Sequence, residues 1–283
     1  NSRVPNNKVK NIVTDKNNVK WIQLHNEGIM IFDDRGTPFD DSDDNFKEIR
    51  AAGGSGLLSN EVKSIAVDDN GWIWIGTSIG LNVVTNTNEP FTNLEIEQLV
   101  INDVDGKPAL LLGENSINDI CVDGGNRKWF ATNDGVVLIE SDGQEQVLKF
   151  TAENSPLPSN RVTSLGQSTK SGEIYFATDR GLASYQSDAA GKKEFFDKIK
   201  VYPNPVPPGY NGQITIDGLA TNAEIRITDA NGMLVTKLTA NGSKATWNGL
   251  RLNGSKPNSG VYYVFGINTE ATETAMGKFI FIR

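Results

Sequence analysis

The chain has one cysteine, Cys121, and one histidine, His25, among its 283 residues. A single thiol excludes an intrachain disulfide but leaves the compartment open, because a domain with sufficient core needs no bridges. One imidazole leaves almost no material for a Ser-His-Asp arrangement or a histidine-rich metal site. Apolar runs are short, as in Ala109–Leu112 and Val261–Phe265, far below the roughly 18 residues of a membrane-spanning helix. Positive charge is scattered: Lys192-Lys193 is followed at once by Glu194, and the net charge is -8. Nucleic-acid binding, which needs clustered Lys and Arg, is thereby disfavoured. The sequence opens at Asn1 with no Met, basic n-region or apolar h-region, and so reads as a processed or truncated product.

Hydrophobic residues make up 37% and charged residues 22%, a globular composition with length for one large or two ordinary domains. Four segments can be laid over one another: VKNIVTDKNNVKWIQLHNEGI from Val9, VKSIAVDDNGWIWIGTSIGL from Val62, INDICVDGGNRKWFATNDGV from Ile117 and VTSLGQSTKSGEIYFATDRGL from Val162. Each reads as an apolar strand, a turn, an aromatic-aliphatic strand, a second turn, then glycine and an aliphatic residue. The closing glycines Gly28, Gly80, Gly135 and Gly181 lie 52, 55 and 46 residues apart. That spacing suits one four-stranded propeller blade.

Local chemistry agrees with the spacing. Asp69-Asn70-Gly71 and Asp123-Gly124-Gly125 are hairpin turns in which Asn and Gly can take positive φ, and Asn17-Asn18 and Ser171-Gly172 fill the same slot. The strand after the turn carries Trp21-Ile22, Trp74-Ile75, Trp129-Phe130 and Tyr175-Phe176. An unbroken apolar pair implies a sheet covered on both faces. Trp21, Trp74, Trp129 and Tyr175 are therefore expected in the core between blades rather than on a sugar-stacking platform. Gly76-Thr77, Ala131-Thr132 and Ala177-Thr178 follow, the small residue allowing close approach of neighbouring blades; the first unit departs with Gln23-Leu24. Asp40–Ala52 and Glu89–Glu114 are expected to hold outer strands and long loops.

The W-[IF]-[GA]-T-x-x-G-[LV] pattern of these residues resembles the two-component-regulator propeller repeat. That family is common in the outer sensor regions of Bacteroidetes hybrid histidine kinases and in related surface proteins. Four blades are fewer than such rings usually hold. The chain thus reads as a fragment of a larger ring or as a small ring, and the fragment suits the absent leader better.

From Gln186 to Lys198 the composition turns polar and the fifty-residue period stops. Blades are therefore expected over 1–188, a linker over 189–199 and a separate domain over 200–283. The prolines of Val201-Tyr202-Pro203-Asn204-Pro205 keep the backbone extended. Gln213–Asp217, Glu224–Asp229, Leu234–Thr239, Lys244–Trp247, Val261–Asn268 and Met276–Ile282 read as short strands. Their separators are Gly218, Asn231-Gly232, Asn241-Gly242, Asn253-Gly254 and Asn258-Ser259-Gly260. About seven short strands with such turns form the pattern of an immunoglobulin-like sandwich. The fold class expected is all-β, four-stranded propeller blades followed by that sandwich.

The order Tyr202-Pro203-Asn204-Pro205, Ile227–Gly232, Trp247-Asn248-Gly249, Ser259-Gly260-Val261-Tyr262-Tyr263, Gly277-Lys278-Phe279 and a closing Arg283 is similar to the C-terminal domains of type IX secretion cargo. The resemblance singles out Pro203, Asn204, Pro205, Trp247, Gly260, Tyr262, Lys278 and Arg283 as sorting-domain-like motif residues. Propeller repeats followed directly by such a domain resemble the propeller component of the type IX attachment complex at the outer-membrane surface. The resemblance implies a retained terminal sandwich, associated with anionic lipopolysaccharide and with the sortase that attaches cargo. The partners it implies are surface polysaccharide and a protein of the secretion machinery, at the cell surface or in the periplasm.

Candidates for chemistry are few. His25 lies in a turn at the most variable place of the repeat. Cys121 aligns with Ala66 inside an apolar strand and is expected to be a small buried hydrophobe. Counted from Asp41, the run Asp40–Asn45 lacks the Gly and Glu of an EF-hand, having Phe46 and Ala52 instead. It reads as a solvated acidic loop, with a looser calcium site as the alternative. Asp68-Asp69 fills the turn slot, where Asp caps its own backbone. No catalytic residue, cofactor or metal ligand is expected, and the motifs do not name the ligand-binding residues. A non-enzymatic surface scaffold is the first reading. The ligand-sensing region of a hybrid two-component histidine kinase is the second, disfavoured because the sequence ends at Arg283 after a sorting-like domain. A secreted glycan-active enzyme is the third; its acid and base carboxylates are not in evidence.

Overall fold

The computed structural model describes residues 8–52, 54–102 and 107–283. All regular structure among them is β. The chain divides into two compact units. One comprises Asn1–Val122, Arg127–Gly166 and Tyr175–Ser184; the other comprises Asp123–Asn126, Gln167–Ile174 and Tyr185–Arg283.

Four successive antiparallel sheets match the four repeats. The first has strands β1 (Val9–Thr14), β2 (Lys20–Leu24), β3 (Ile29–Asp33) and β4 (Asn45–Ile49) in chain order. The second has β5 (Val62–Val67), β6 (Ile73–Thr77) and β7 (Gly80–Val84), and an inserted hairpin, β8 (Val100–Asn102) and β9 (Pro108–Leu110), follows it. The third has β10 (Ile117–Val122), β11 (Lys128–Thr132), β12 (Gly135–Ile139) and β13 (Gln146–Phe150). The fourth has β14 (Val162–Gln167), β15 (Glu173–Thr178) and β16 (Gly181–Gln186). Two sheets therefore carry three strands where four were expected. In the second, the outer position is filled by a single bridge, Val83 to Glu97, with bonds of 2.8 and 2.9 Å.

In the first two blades the hairpin is set by an aspartate at its turn. Oδ1 of Asp15 accepts the amides of Asn17 and Val19, and Oδ1 of Asp68 those of Asn70 and Trp72, at 2.8–3.0 Å. The other oxygen accepts an indole N–H from the facing strand, Trp21 for Asp15 and Trp74 for Asp68, both at 3.0 Å. The carboxylate thus fixes both the turn and the tryptophan rotamer. At the opposite end, Thr77, Thr132 and Thr178 donate their hydroxyls to the carbonyls of Gly80, Gly135 and Gly181 at 2.8–2.9 Å. Gly80 has φ +146°, a conformation a side chain would strain.

Successive sheets pack through these strands. In the middle two, β6, β7, β11 and β12 are buried along their whole length, as strands covered on both faces must be. Trp74 packs on Phe130 and Trp129 on Phe176, each pair with ring centroids 5.9 Å apart. A Cβ on Gly76 would sit 2.7 Å from Cγ2 of Ile117, so the sheets approach as closely as a missing side chain permits. Gly76→Val is expected to cost about 1–3 kcal/mol through overpacking, read as a lowered midpoint in urea.

Two expectations about this core need correction. Tyr175 occupies the slot of the tryptophans but is 36% exposed, whereas Trp21, Trp74 and Trp129 are completely buried. Each tryptophan is covered by the sheet that follows; the fourth sheet has none following it in the first unit, and β16 is correspondingly open. Cys121 pairs with Trp129 as Ala66 pairs with Trp74, yet it is half-buried rather than sealed.

The second unit contains a two-sheet sandwich. One sheet has β17 (Lys200–Tyr202), β18 (Ile214–Asp217) and β21 (Lys244–Trp247) in the order β17-β18-β21. The other has β19 (Glu224–Asp229), β20 (Leu234–Thr239), β22 (Gly260–Ile267) and β23 (Thr274–Phe281) in the order β20-β19-β22-β23. Alternate residues Ile225 and Ile227, Tyr262 and Val264, and Phe279 and Phe281 point into the core. Trp247, Tyr262, Phe279 and Phe281 form a four-ring cluster with centroids 5.7–6.0 Å apart.

Candidate functional site

The motif residues of the sandwich meet where its last strand ends. The Asn204 side-chain carbonyl accepts the Ile280 amide at 3.1 Å. Val206, just after Pro205, donates to the Ile280 carbonyl at 2.8 Å and accepts from the Ile282 amide at 3.0 Å. The prolines therefore deliver an extended segment that clips onto the edge of β23. Arg283 donates its amide to Oγ of Ser259 at 2.9 Å, so the turn before Gly260 holds the final residue. Gly260 pairs with Phe281 and is exposed. Tyr262 donates its hydroxyl to the Asn258 carbonyl at 2.7 Å, and burial raises its pKa above the ordinary tyrosine value. The Trp247 indole donates to the Leu250 carbonyl at 2.8 Å. Asn204→Ala is expected to lower stability by about 1 kcal/mol, the worth of one such bond, and a thermal melt measures it.

Lys278 stands apart from that cluster. It lies on the outward face of the four-stranded sheet, opposite Tyr263. On this face Lys237, Arg226, Phe265 and Met276 form one row across all four strands. Thr228, Tyr263 and Lys278 form the next row, and Val261 with Ile280 a third. Tyr263 and Phe265 have ring centroids 6.4 Å apart, tilted by 33°. Arg226 Nε donates to Glu224 at 2.6 Å, which holds that carboxyl below its usual pKa. A groove of about 520 Å³ runs beside Arg226, Phe265, Thr274 and Met276.

Residues 200–282 match the secretion system C-terminal sorting domain, and residues 56–78 match the two component regulator propeller. The last third is thus similar to that sorting-domain family. The sorting domain takes in the motif cluster and the outward face alike. Ahead of it, one stretch of the blades is similar to the two-component-regulator propeller repeat, and this organisation resembles that of PorZ. PorZ is an essential surface component of the type IX secretion system of Porphyromonas gingivalis. The chain is 30% identical to it, with a TM-score of 0.64 over 98% of this chain and 39% of PorZ. The chain thus spans well under half the length of that relative. The extracellular domain of a putative hybrid two-component system from B. thetaiotaomicron is more distant. It has 16% identity and a TM-score of 0.45 over 97% of this chain and 44% of that one. No curated protein matches.

Outside the sorting domain, the polar residues singled out in the sequence serve local structure. His25 is a half-buried turn residue whose amide donates to the Lys8 carbonyl at 3.0 Å. In the acidic run, Asp40 accepts from the amide and hydroxyl of Ser42, which lowers its pKa, and Asp43 accepts from Thr37. No group of three or more candidate metal ligands occurs among the described residues. No described helix is long and apolar enough to cross a membrane.

Two polar systems of the blades were not foreseen. Asp119 accepts from Ser64 of the preceding blade at 3.2 Å, and from the Ser164 hydroxyl and Leu165 amide of the following one at 3.0 and 2.8 Å. Asp68 and Lys128, both fully buried, form an ion pair of 2.7 Å between the second and third blades. The same ammonium donates to the Ser141 carbonyl at 2.6 Å and lies 4.9 Å from the centre of the Trp74 ring. The signal that was available is an aspartate six residues before each of Trp21, Trp74 and Trp129.

Proposed function

We propose that the chain is a non-catalytic component of a type IX secretion system at the cell surface. It would hold surface polysaccharide and a protein partner such as the sortase. The observation that carries this reading is the union of propeller blades with a sorting domain, aligned along nearly the whole chain with a surface component of that system. Blades over 1–188 and the sandwich over 200–283 are its two working parts. Pro203, Asn204, Pro205, Trp247, Gly260, Tyr262 and Arg283 serve to build and close the sandwich; Lys278 is left to meet a ligand.

Retention of the producing cells' surface polysaccharide on the immobilised full chain is the test. The reading expects retention that a propeller protein lacking a sorting domain does not show. Equal behaviour of the two would remove the polysaccharide role. The match of 56–78 to a regulator propeller favours a second reading, a ligand-sensing periplasmic region. That reading leaves the sorting domain unexplained and is ranked below the first.

A further inference from the structure

The hairpin of β8 and β9 falls outside the fifty-residue repeat and forms a two-stranded sheet of its own. It is nonetheless fixed in place. Ile101 and Leu112 pack on the core shared by the second and third blades, and the Leu111 amide donates to the Leu99 carbonyl at 2.8 Å. Beside the hairpin and the third blade lies a groove of about 840 Å³, with Ile101, Leu110, Leu112 and Val137 in its lining. Leu110 is 48% exposed and Val100, its partner across the hairpin, 53%. Two large aliphatic side chains thus stand in water on one face of the ribbon. The adjoining turn is strained: Leu112 has φ +50°, a left-handed conformation that leucine rarely adopts. A Cβ on Gly113 would sit 2.7 Å from that of Leu110, so the turn presses directly on the hairpin. Strain of this kind persists where the surroundings enforce it, and it clusters at ligand clamps.

The polar rim identifies the occupant. Glu114, Asp134 and Glu145 line the groove against one cation, Lys149, and all four are exposed. Among the described residues, none of the three carboxylates has a lysine or arginine in ion-pair contact. Asp134 stands just before β12, and Glu145 faces Glu140 just past its other end. At about 3.3 Å per residue these two acids are roughly 15–20 Å apart. One small cation cannot meet both, whereas an extended peptide of about six residues covers that length. Anionic headgroups and nucleic-acid phosphates would meet like charge here, which opposes docking. A second copy would have to supply a basic run, and its densest one, Lys192-Lys193, is followed at once by Glu194.

We propose that this groove receives a basic segment of a protein partner, extended along the third blade. Its large apolar side chains would rest on Ile101 and Leu110, and its lysines or arginines would meet Glu114, Asp134 and Glu145. The site lies in the blades and stands whether or not the chain holds surface polysaccharide.

The test is fluorescence anisotropy of the full chain with three labelled hexapeptides: lysine alternating with leucine, glutamate with leucine, and lysine with serine. The first is expected to bind at least ten-fold more tightly than either of the others. Glu114→Gln with Asp134→Asn and Glu145→Gln, and separately Val100→Ser with Leu110→Ser, should each weaken it ten-fold or more. Because these side chains are exposed, the melting temperature should stay within a degree or two, which separates lost binding from lost folding. Asp40→Asn with Asp41→Asn and Asp43→Asn changes the net charge equally in a loop of the first blade, and should leave binding as it was. An equal loss in that control would reduce the effect to overall charge and overturn the site. Unchanged binding in both groove variants, or no binding by the wild type, would overturn it too. Equal affinity for the lysine-serine peptide would remove the apolar half of the proposal. Self-association of the chain abolished by the groove substitutions would identify a second copy as the occupant instead.

Discussion

Replacing Trp74 by alanine is expected to remove about 3–5 kcal/mol of stability, while Tyr175→Ala in the corresponding slot should cost about 1 kcal/mol or less. The difference follows from what covers each ring. Trp74 is fully buried among Leu81, Val83, Leu111, Ile117, Ile120 and Phe130, so truncation leaves a cavity that the rigid sheets on either side cannot close. It also deprives Asp68 of the indole donor at 3.0 Å. Tyr175 lies on an open face, where water replaces much of what the side chain loses. Urea unfolding of both variants measures the contrast. Similar losses would mean that the repeats do not pack successively in the manner described.

The buried pair of Asp68 and Lys128 gives the second large effect. Lys128→Met leaves a carboxylate without its cation where neither group touches solvent, and breaking such a pair from one side costs about 3–5 kcal/mol. The intact pair is not thereby a strong net stabiliser, because burying both charges carries its own desolvation penalty. A double variant, Lys128→Met with Asp68→Asn, should therefore be less damaged than the sum of the singles predicts. Oδ1 of the asparagine can still cap the turn at Asn70 and Trp72. The coupling is read from a double-mutant cycle in urea, and strictly additive losses would contradict the ion pair.

These two sites show why part of the molecule was legible in the sequence and part was not. Turns, aromatic pairs and closing glycines recur about every fifty residues, so the four successive sheets and the hairpins inside them could be read off, while the missing outer strand of two sheets could not. Strands β19, β20 and β21 were located to the residue because Gly and Asn-Gly turns bound them. Interactions between blades were hidden, since they join residues from different repeats. Lys128 stands where the second repeat has Ile73 and the first has Lys20, and nothing local reveals that its ammonium reaches the turn of the preceding blade. Burial at the last blade was misjudged for a similar reason: equal positions in a repeat have equal surroundings only when each has a neighbour.

The sorting domain divides in the same way. Its motif residues were evident from order alone; Asn204, Gly260 and Arg283 hold the end of β23, while Trp247 and Tyr262 pack in the core. The outward face was obscured because Val261–Phe265 is an unbroken apolar run, which gives no sign that Tyr262 and Val264 face the core while Val261 and Phe265 face water. Only the pairing register brings Arg226, Lys237 and Lys278 around those rings.

Cross-linking of the native protein on intact producing cells tests the proposed role most directly. A short amine-reactive linker that does not enter cells should couple the protein at the surface, and proteins of the type IX machinery should be recovered with it. Recovery only after the outer membrane is opened, coupled to a signalling kinase and to none of the secretion proteins, would contradict the surface role and favour the sensor.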